Sequence, residues 1–270
     1  MSLFKKTLTN FAIGSAKVDS SLKQEILFPG QNTNITIHVY GGCKKEKIDY
    51  IGLKLCCCYT EKIFNNSSKN NNEQNKKIKQ SYTLSEWSSP YEFLIEARKI
   101  RNFSTTLNVP WNTPVTIGNA KVWLESKMKI SMKIDLINKK ILTVRPDPLM
   151  DSIFSTLEKQ SLRIRKVVCK TVQGFDDLPF MQKFEFIPIP GPYYGCWRGL
   201  EFIARRTNGA LKLWIDIDRN QKDSKKIPSS SFSKLKSHLE IPVQKTTTEA
   251  KMMILEYLDD ISSQHVRPLF

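Results

Sequence analysis

Few residues in this chain carry chemistry by type and spacing. Its three histidines, His38, His238 and His265, are far apart, and no GxSxG elbow, phosphate loop, HExxH pair or dinucleotide fingerprint accompanies them. Three of the six cysteines are consecutive, Cys56, Cys57 and Cys58, in IGLKLCCCYTEKIF. On an extended strand Cys57 faces the core and its neighbours face outward. Same-face positions then lie roughly 6.5–7 Å apart, beyond comfortable disulfide reach. No CxxC pair occurs, and Cys169 and Cys196 lack a histidine at ligand spacing, so reduced thiols are expected and a zinc site is not. DIDRNQKDSKKI starts like a calcium loop with Asp216, Asp218 and Asn220. It then fails, with Gln221 where glycine is required and Ile227 where the bidentate glutamate belongs. These residues predict no catalytic centre, no metal and no cofactor.

What remains is chemistry of contact. Lys127, Lys129 and Lys133 recur on one side of an alternating run, where same-side ammoniums spaced by roughly 6.6–7 Å could meet phosphates or acidic side chains. The alternative is an outward face kept soluble, or an edge strand guarded by lysine. Leu3, Phe4, Leu8 and Phe11 would share one face of a short N-terminal helix beside Lys5 and Lys6, a segment able to lie on an anionic membrane or to dock on its own domain. Arg145 and Asp147 flank Pro146 at a domain junction, where they either pair with charges of the adjoining domains or stay at the surface. Trp197 and Trp214 are the rings that a sugar-binding sandwich would use.

The elements behind these residues are mostly strands. LFPGQNTNITIHVYGG opens on a Pro-Gly turn, alternates Ile35, Ile37 and Val39 with Asn34, Thr36 and His38, and stops at Gly41-Gly42. KMKISMKIDL places Met128, Ile130, Met132, Ile134 and Leu136 on one face of a single long strand, the pattern of a sheet with one wet side. In LEFIARRTNGALKLWIDID, Asn208-Gly209 predicts a type I′ hairpin. Two helices interrupt the strands. Asp147 caps the first, with Pro148 at its first position and an apolar stripe of Leu149, Met150, Ile153, Phe154 and Leu157. A capping box from Thr246 to Glu249 starts the second, whose stripe is Met253, Ile254, Tyr257, Leu258 and Ile261.

The chain of 270 residues is 40% hydrophobic and carries a net charge of +16, most of it in residues 1–150. It can fill a core, and its field favours acidic surfaces such as phosphate, anionic lipid or an acidic protein face. No run reaches the ~18 apolar residues of a membrane span. MSLFKKTLTNFAIGSAK lacks the apolar core and cleavage site of a secretory signal, so a cytoplasmic protein is expected. The expected fold is all-β: two tandem sandwiches with a connecting helix and a C-terminal helix. The expected parts are an N-terminal sandwich over 1–145, a connecting helix over 146–163, and a second β-rich core over 164–221. A loose Ser/Lys-rich segment over 222–245 and a C-terminal helix over 246–270 follow.

LFPGQNTNITIHVYGG, LNVPWNTPVTIGNAKVWLESKMKI, the junction VRPDPLM and the later LPFMQKFEFIPIPGPYYGCWRGLEF, in that order, resemble the bacterial sporulation-control protein M family of the arrestin-like clan. The resemblance runs to about residue 218. It implies arrestin-like domains without catalytic activity, and a regulatory role at the onset of sporulation through scaffolding. Other proteins, cytoskeletal or signalling ones included, are the implied partners, and a homodimer is compatible. The chain departs from the usually acidic family in being strongly basic. The alternative from charge alone is a peripheral protein that binds anionic membrane or nucleic acid.

Overall fold

A computed structural model describes residues 14–63, 76–131, 136–171, 178–219 and 238–263. The fold is mostly β. Strands run β1 (Lys17–Leu22), β2 (Ile26–Leu27), β3 (Asn32–Tyr40), β4 (Glu46–Ile63), β5 (Lys76–Ser88), β6 (Phe93–Ile95), β7 (Ile100–Asn108), β8 (Val122–Ile130) and β9 (Leu136–Val144). After helix α1 (Pro148–Lys159) come β10 (Leu162–Thr171), β11 (Phe180–Pro188), β12 (Trp197–Arg206), β13 (Ala210–Arg219) and β14 (Leu239–Pro242), and then α2 (Thr247–Ser263).

Two compact units result, and the division is not a single cut near residue 145. The first comprises Met1–Cys56, Thr83–Pro110 and Val122–Thr143, and the second comprises Cys57–Tyr82, Trp111–Lys121 and Val144–Phe270. Strand β4 therefore serves the first unit with its first eleven residues and the second with the rest.

In the first unit an antiparallel sheet of order β1-β3-β7 lies against strands β4, β8 and β9. The period of two anticipated in β3 is observed, with Ile35, Ile37 and Val39 at 0–1% exposure. The sheets meet through apolar side chains and polar pins, among them the buried Ser126 hydroxyl donating to Ser20 Oγ at 2.9 Å and Asn138 Nδ2 donating to Asp19 Oδ1 at 3.0 Å. Gly41 and Gly42 end β3 for a steric reason. A Cβ at Gly41 would stand 2.1 Å from the Glu96 carbonyl oxygen, and one at Gly42 would stand 2.2 Å from that of Gly14. Backbones cross there at a distance only glycine permits.

The alternation over 127–136 is not one strand. β8 ends at Ile130, Ser131 turns while its hydroxyl donates to Asp49 of β4, and β9 begins at Leu136, opposite Met128. Directly opposed positions share a face, so β8 and β9 keep the same parity inward, as Val122 and its partner Leu142, both buried, show.

In the second unit β10 to β14 form a continuous antiparallel run, with β10 also touching β4 in parallel at Lys170 and Thr60. Both helices cover one face of it. Leu149, Met150, Ile153 and Leu157 of α1 and Ala250, Ile254 and Leu258 of α2 are buried with Phe184, Phe186, Phe202, Leu211 and Leu213. Phe154 reaches across with its ring centroid 4.9 Å from that of Phe184. Each large apolar side chain so buried contributes about 1.5–3 kcal/mol.

Both helix starts match expectation. Asp147 Oδ1 accepts from the amides of Leu149 and Met150. Thr246 and Glu249 exchange backbone-to-side-chain bonds of 2.8 and 3.2 Å. Hydrogen bonding to Lys245, then to Thr246, lowers the Glu249 carboxyl to about 2.

Two local expectations fail. The β12–β13 hairpin forms, but neither Asn208 nor Gly209 has positive φ, so the turn is not type I′. The Thr207 hydroxyl accepts from the Ala210 amide at 3.1 Å while the Thr207 amide donates to the Ala210 carbonyl, which closes the turn with a side chain in place of a carbonyl. The segment 222–245 contains β14, whose Ile241 is fully buried beside Leu211. Four residues are too short a run for periodicity to reveal.

Candidate functional site

The outward face of β3 and β7 is a grid of small uncharged polar groups, with Ser21, Asp19 and Lys17 of β1 beside it. Across it the register pairs Asn32 with Asn108, Asn34 with Thr106, Thr36 with Ser104 and His38 with Asn102. Neighbours saturate one another: Asn108 Nδ2 donates to Asn32 Oδ1 at 3.1 Å and Thr106 Oγ1 to Asn34 Oδ1 at 3.0 Å. His38 bridges two strands, with Nδ1 2.9 Å from Asn102 Oδ1 and Nε2 2.9 Å from Ser21 Oγ. The tautomer that fits donates from Nδ1 and accepts the Ser21 hydroxyl at Nε2, a structural use of the ring. A shallow open depression lies over Ser21, Asn34, Thr36, Ser104 and Thr106. Tyr40 and Ile100, paired across the strands, close this face with exposed rings and methyls.

The second unit holds its charges differently. Lys183, 6% exposed at its side chain, stands 2.9 Å from Glu185 Oε1 and 2.7 Å from Glu201 Oε2. Arg165 completes the cluster at 3.3 Å from Glu185 Oε2. Burial opposes the Glu185 charge, but the hydrogen bond and field of Lys183, with Lys166 and Arg165, hold its carboxyl below the ordinary range. Such a network rigidifies the β10–β11–β12 sheet; it offers no open valence for a substrate.

The sequence-predicted residues are not gathered into one place. Lys127 is half-buried and Lys129 exposed on the outward face of β8, and Lys133 lies outside the described residues. That face is not purely basic: Glu125 precedes them and pairs with Lys139 at 3.1 Å, and the Lys139 ammonium lies over Trp123. β8 is flanked by β4 and β9, so its lysines do not guard a sheet edge. Asp147 is buried and spent on the α1 cap, whereas Arg145 is exposed; both belong to the second unit. Leu3, Phe4, Leu8 and Phe11 lie outside the described residues, as does His265. Trp197 is a core residue, 4% exposed and stacked on Tyr193 at 4.0 Å, and therefore unable to present its face to a sugar. Trp214 stacks on His238.

All six cysteines are free thiols. Cys56 is buried, against the outward placement expected from alternation, with its Sγ 3.9 Å from Thr83 Oγ1 on the neighbouring strand β5. Burial, then the nearby Cys58, pushes the Cys169 thiol up to about 12. Among the described residues no group of three or more His, Cys, Asp or Glu is placed to hold a metal ion. No described helix is long and apolar enough to cross a membrane.

The outward grid and the Lys183 network were both missed in the sequence. For the grid a signal existed, since Asn102, Ser104, Thr106 and Asn108 alternate with Phe103, Thr105 and Leu107. For Lys183 there was none; a lysine two positions before Glu185, with Phe184 between them, reads as an outward strand face.

Comparison with known proteins adds a family. A family model described as SpoOM protein matches residues 4–221. The chain is 26% identical over 266 residues to the sporulation-control protein spo0M of Bacillus subtilis (strain 168), spanning 98% of this chain and 99% of that protein. Its fold matches the crystal structure of Spo0M, a sporulation control protein from Bacillus subtilis, with a TM-score of 0.76 at 24% identity, over 93% of this chain and 99% of that one.

Proposed function

The chain belongs to the SpoOM protein family, and from that premise we propose that it is a cytoplasmic, non-enzymatic regulatory scaffold that affects the onset of sporulation by holding other proteins. The observation that carries this reading is the open sheet of the first unit, which ends in strands without a further partner among the described residues. Such edges and their exposed faces suit macromolecular contact, and the buried charges of the second unit are consumed in holding the sheet.

The test is in-cell cross-linking of the intact chain as sporulation begins, followed by identification of the captured proteins. Discrete protein partners, recovered equally at low and moderate salt, are expected. Their absence at the onset of sporulation removes the scaffold reading.

A second reading rests on the net charge of +16: a peripheral protein bound to anionic membrane or nucleic acid. It requires co-sedimentation with anionic vesicles or DNA that falls steeply, by about a factor of ten or more, between low and moderate salt. The scaffold reading requires capture that salt barely changes.

A further inference from the structure

The sheet β1-β3-β7 leaves the outer side of β7 without a neighbouring strand among the described residues. The register shows which backbone groups point there. At one end of the β3–β7 pair the Gly41 amide donates to the Lys99 carbonyl, and at the other the Val109 amide donates to the Gln31 carbonyl. The odd-numbered positions of β3 and β7 therefore bond to each other, and the even-numbered positions turn away. Lys23 agrees, its amide donating to Asn34 on the β1 side of β3. Asn102, Ser104 and Thr106 thus aim their N–H and C=O groups outward. Asn108 faces the same way, and its carbonyl accepts the Ser85 hydroxyl at 2.6 Å.

Proteins usually guard such an edge with charge, proline, a bulge or brevity. The other described edges follow that rule. β1 displays Lys17 and Asp19, the longer β5 displays Lys77, Lys79 and Glu86, β14 stops after four residues at Pro242, and β2 and β6 have two and three residues. β7 has nine residues, pairs with β3 in unbroken register, and carries no charge, proline or glycine from Asn102 to Asn108. The core is also unfinished beneath it. Ile35 and Ile37 of β3 are sealed at 1% and 0% exposure, whereas Phe103 and Thr105, their partners on β7, are only half-buried.

We infer that β7 is the edge to which a partner protein adds a strand. The occupant is an extended polypeptide segment, antiparallel to β7, because only another backbone can match a row of alternating N–H and C=O groups. Its inward side chains are apolar, set beside Phe103 and Thr105. Its outward ones are small and uncharged, continuing the row of Asn102, Ser104 and Thr106. The guanidinium of Arg101, 4.6 Å from the Phe93 ring centroid and 5.2 Å from that of Phe103, places a cation at one end of the edge and favours a carboxylate in the segment there. The inference rests on the scaffold reading and names its contact.

The test uses the full chain and a fluorescent synthetic peptide of the β3 sequence NTNITIHVY, an alternation that β7 already pairs with on its other side. Anisotropy should report binding, and hydrogen exchange should slow by about tenfold or more at the amides of Asn102, Ser104 and Thr106. Ser104→Pro removes one outward N–H and no β3–β7 bond, and should weaken the peptide by about tenfold or more. Ser104→Lys keeps the backbone intact and guards the edge with charge. It should weaken binding likewise, and it serves if the proline variant does not fold. No binding, protection at other strands, or binding indifferent to Ser104→Lys overturns the inference. Cross-linking in cells with Ser104→Lys separates the two readings. Partners captured by the wild type and kept by the variant sink the β7 assignment alone, whereas a wild type that captures none sinks the scaffold.

Discussion

Replacing Lys183 with methionine should cost the protein far more than an ordinary surface lysine would. Methionine keeps the unbranched stem and removes the ammonium that stands 2.9 Å from Glu185 and 2.7 Å from Glu201. Those two carboxylates face each other across β11 and β12, so without Lys183 they become like charges in register. Glu185, 10% exposed at its side chain, would keep only the Arg165 contact and the field of Lys166. Leaving a buried carboxylate in that state costs about 3–5 kcal/mol. At about 2–4 °C per kcal/mol, the melting temperature should fall by roughly 6–20 °C near neutral pH. The pH dependence carries the sign. In the wild type Glu185 is held below its ordinary value, so its contribution is present above the unfolded carboxylate pKa and is lost as pH falls through the folded value. In Lys183→Met only Lys166 and Arg165 still offset burial, so the folded value moves up and the penalty is relieved as pH falls. The gap between variant and wild type should therefore narrow between about pH 7 and about pH 4. Glu185→Gln on the variant background should recover part of the loss at neutral pH. Thermal melts by circular dichroism across that range decide the matter. A fall of less than about 2 °C, or a gap that pH leaves unchanged, would refute the reasoning.

Three further outcomes follow from geometry. Asp147→Ala removes the acceptor for two α1 amides and should cost about 0.5–2 kcal/mol by urea denaturation, while Asp147→Ser keeps most of the stability. Gly42→Ala drives a methyl to within 2.2 Å of the Gly14 carbonyl oxygen and should cost at least about 1–3 kcal/mol, measured the same way; a neutral result means the two backbones do not cross as described. Cys169, its thiol pushed up to about 12 by burial, should resist alkylation in the native state while exposed Cys43 and Cys196 react, as peptide mass mapping would show.

Elements with a strong local cause were legible in advance. The alternation of Ile35, Ile37 and Val39, the Asp147–Pro148 helix start and the Thr246–Glu249 box each depend on neighbours a few residues away, and each is observed. What escaped depended on distant residues. Nothing near Ser131 announces that its hydroxyl meets Asp49, which ends β8. Nothing near Cys56 announces that Thr83 of β5 lies against its sulfur. The Asn208-Gly209 pair signalled a hairpin correctly and its geometry wrongly, because the Thr207 hydroxyl supplied an alternative closure. The β7 edge depended on strand order, and order across a sheet is a property of the whole chain.

Neither unit is a contiguous stretch of the gene, and this bears on how binding regions are mapped. Tyr59 and Tyr82 pack on Phe180 with ring centroids 5.2 and 5.7 Å away, and all three belong to the second unit although the tyrosines come from the first half of the chain. A fragment ending at the connector would strip both tyrosines of that phenylalanine and leave them wet. Sticky fragments would then collect proteins that the intact molecule never meets. Deletion series will mislead, and point substitutions in the whole chain are the sounder route.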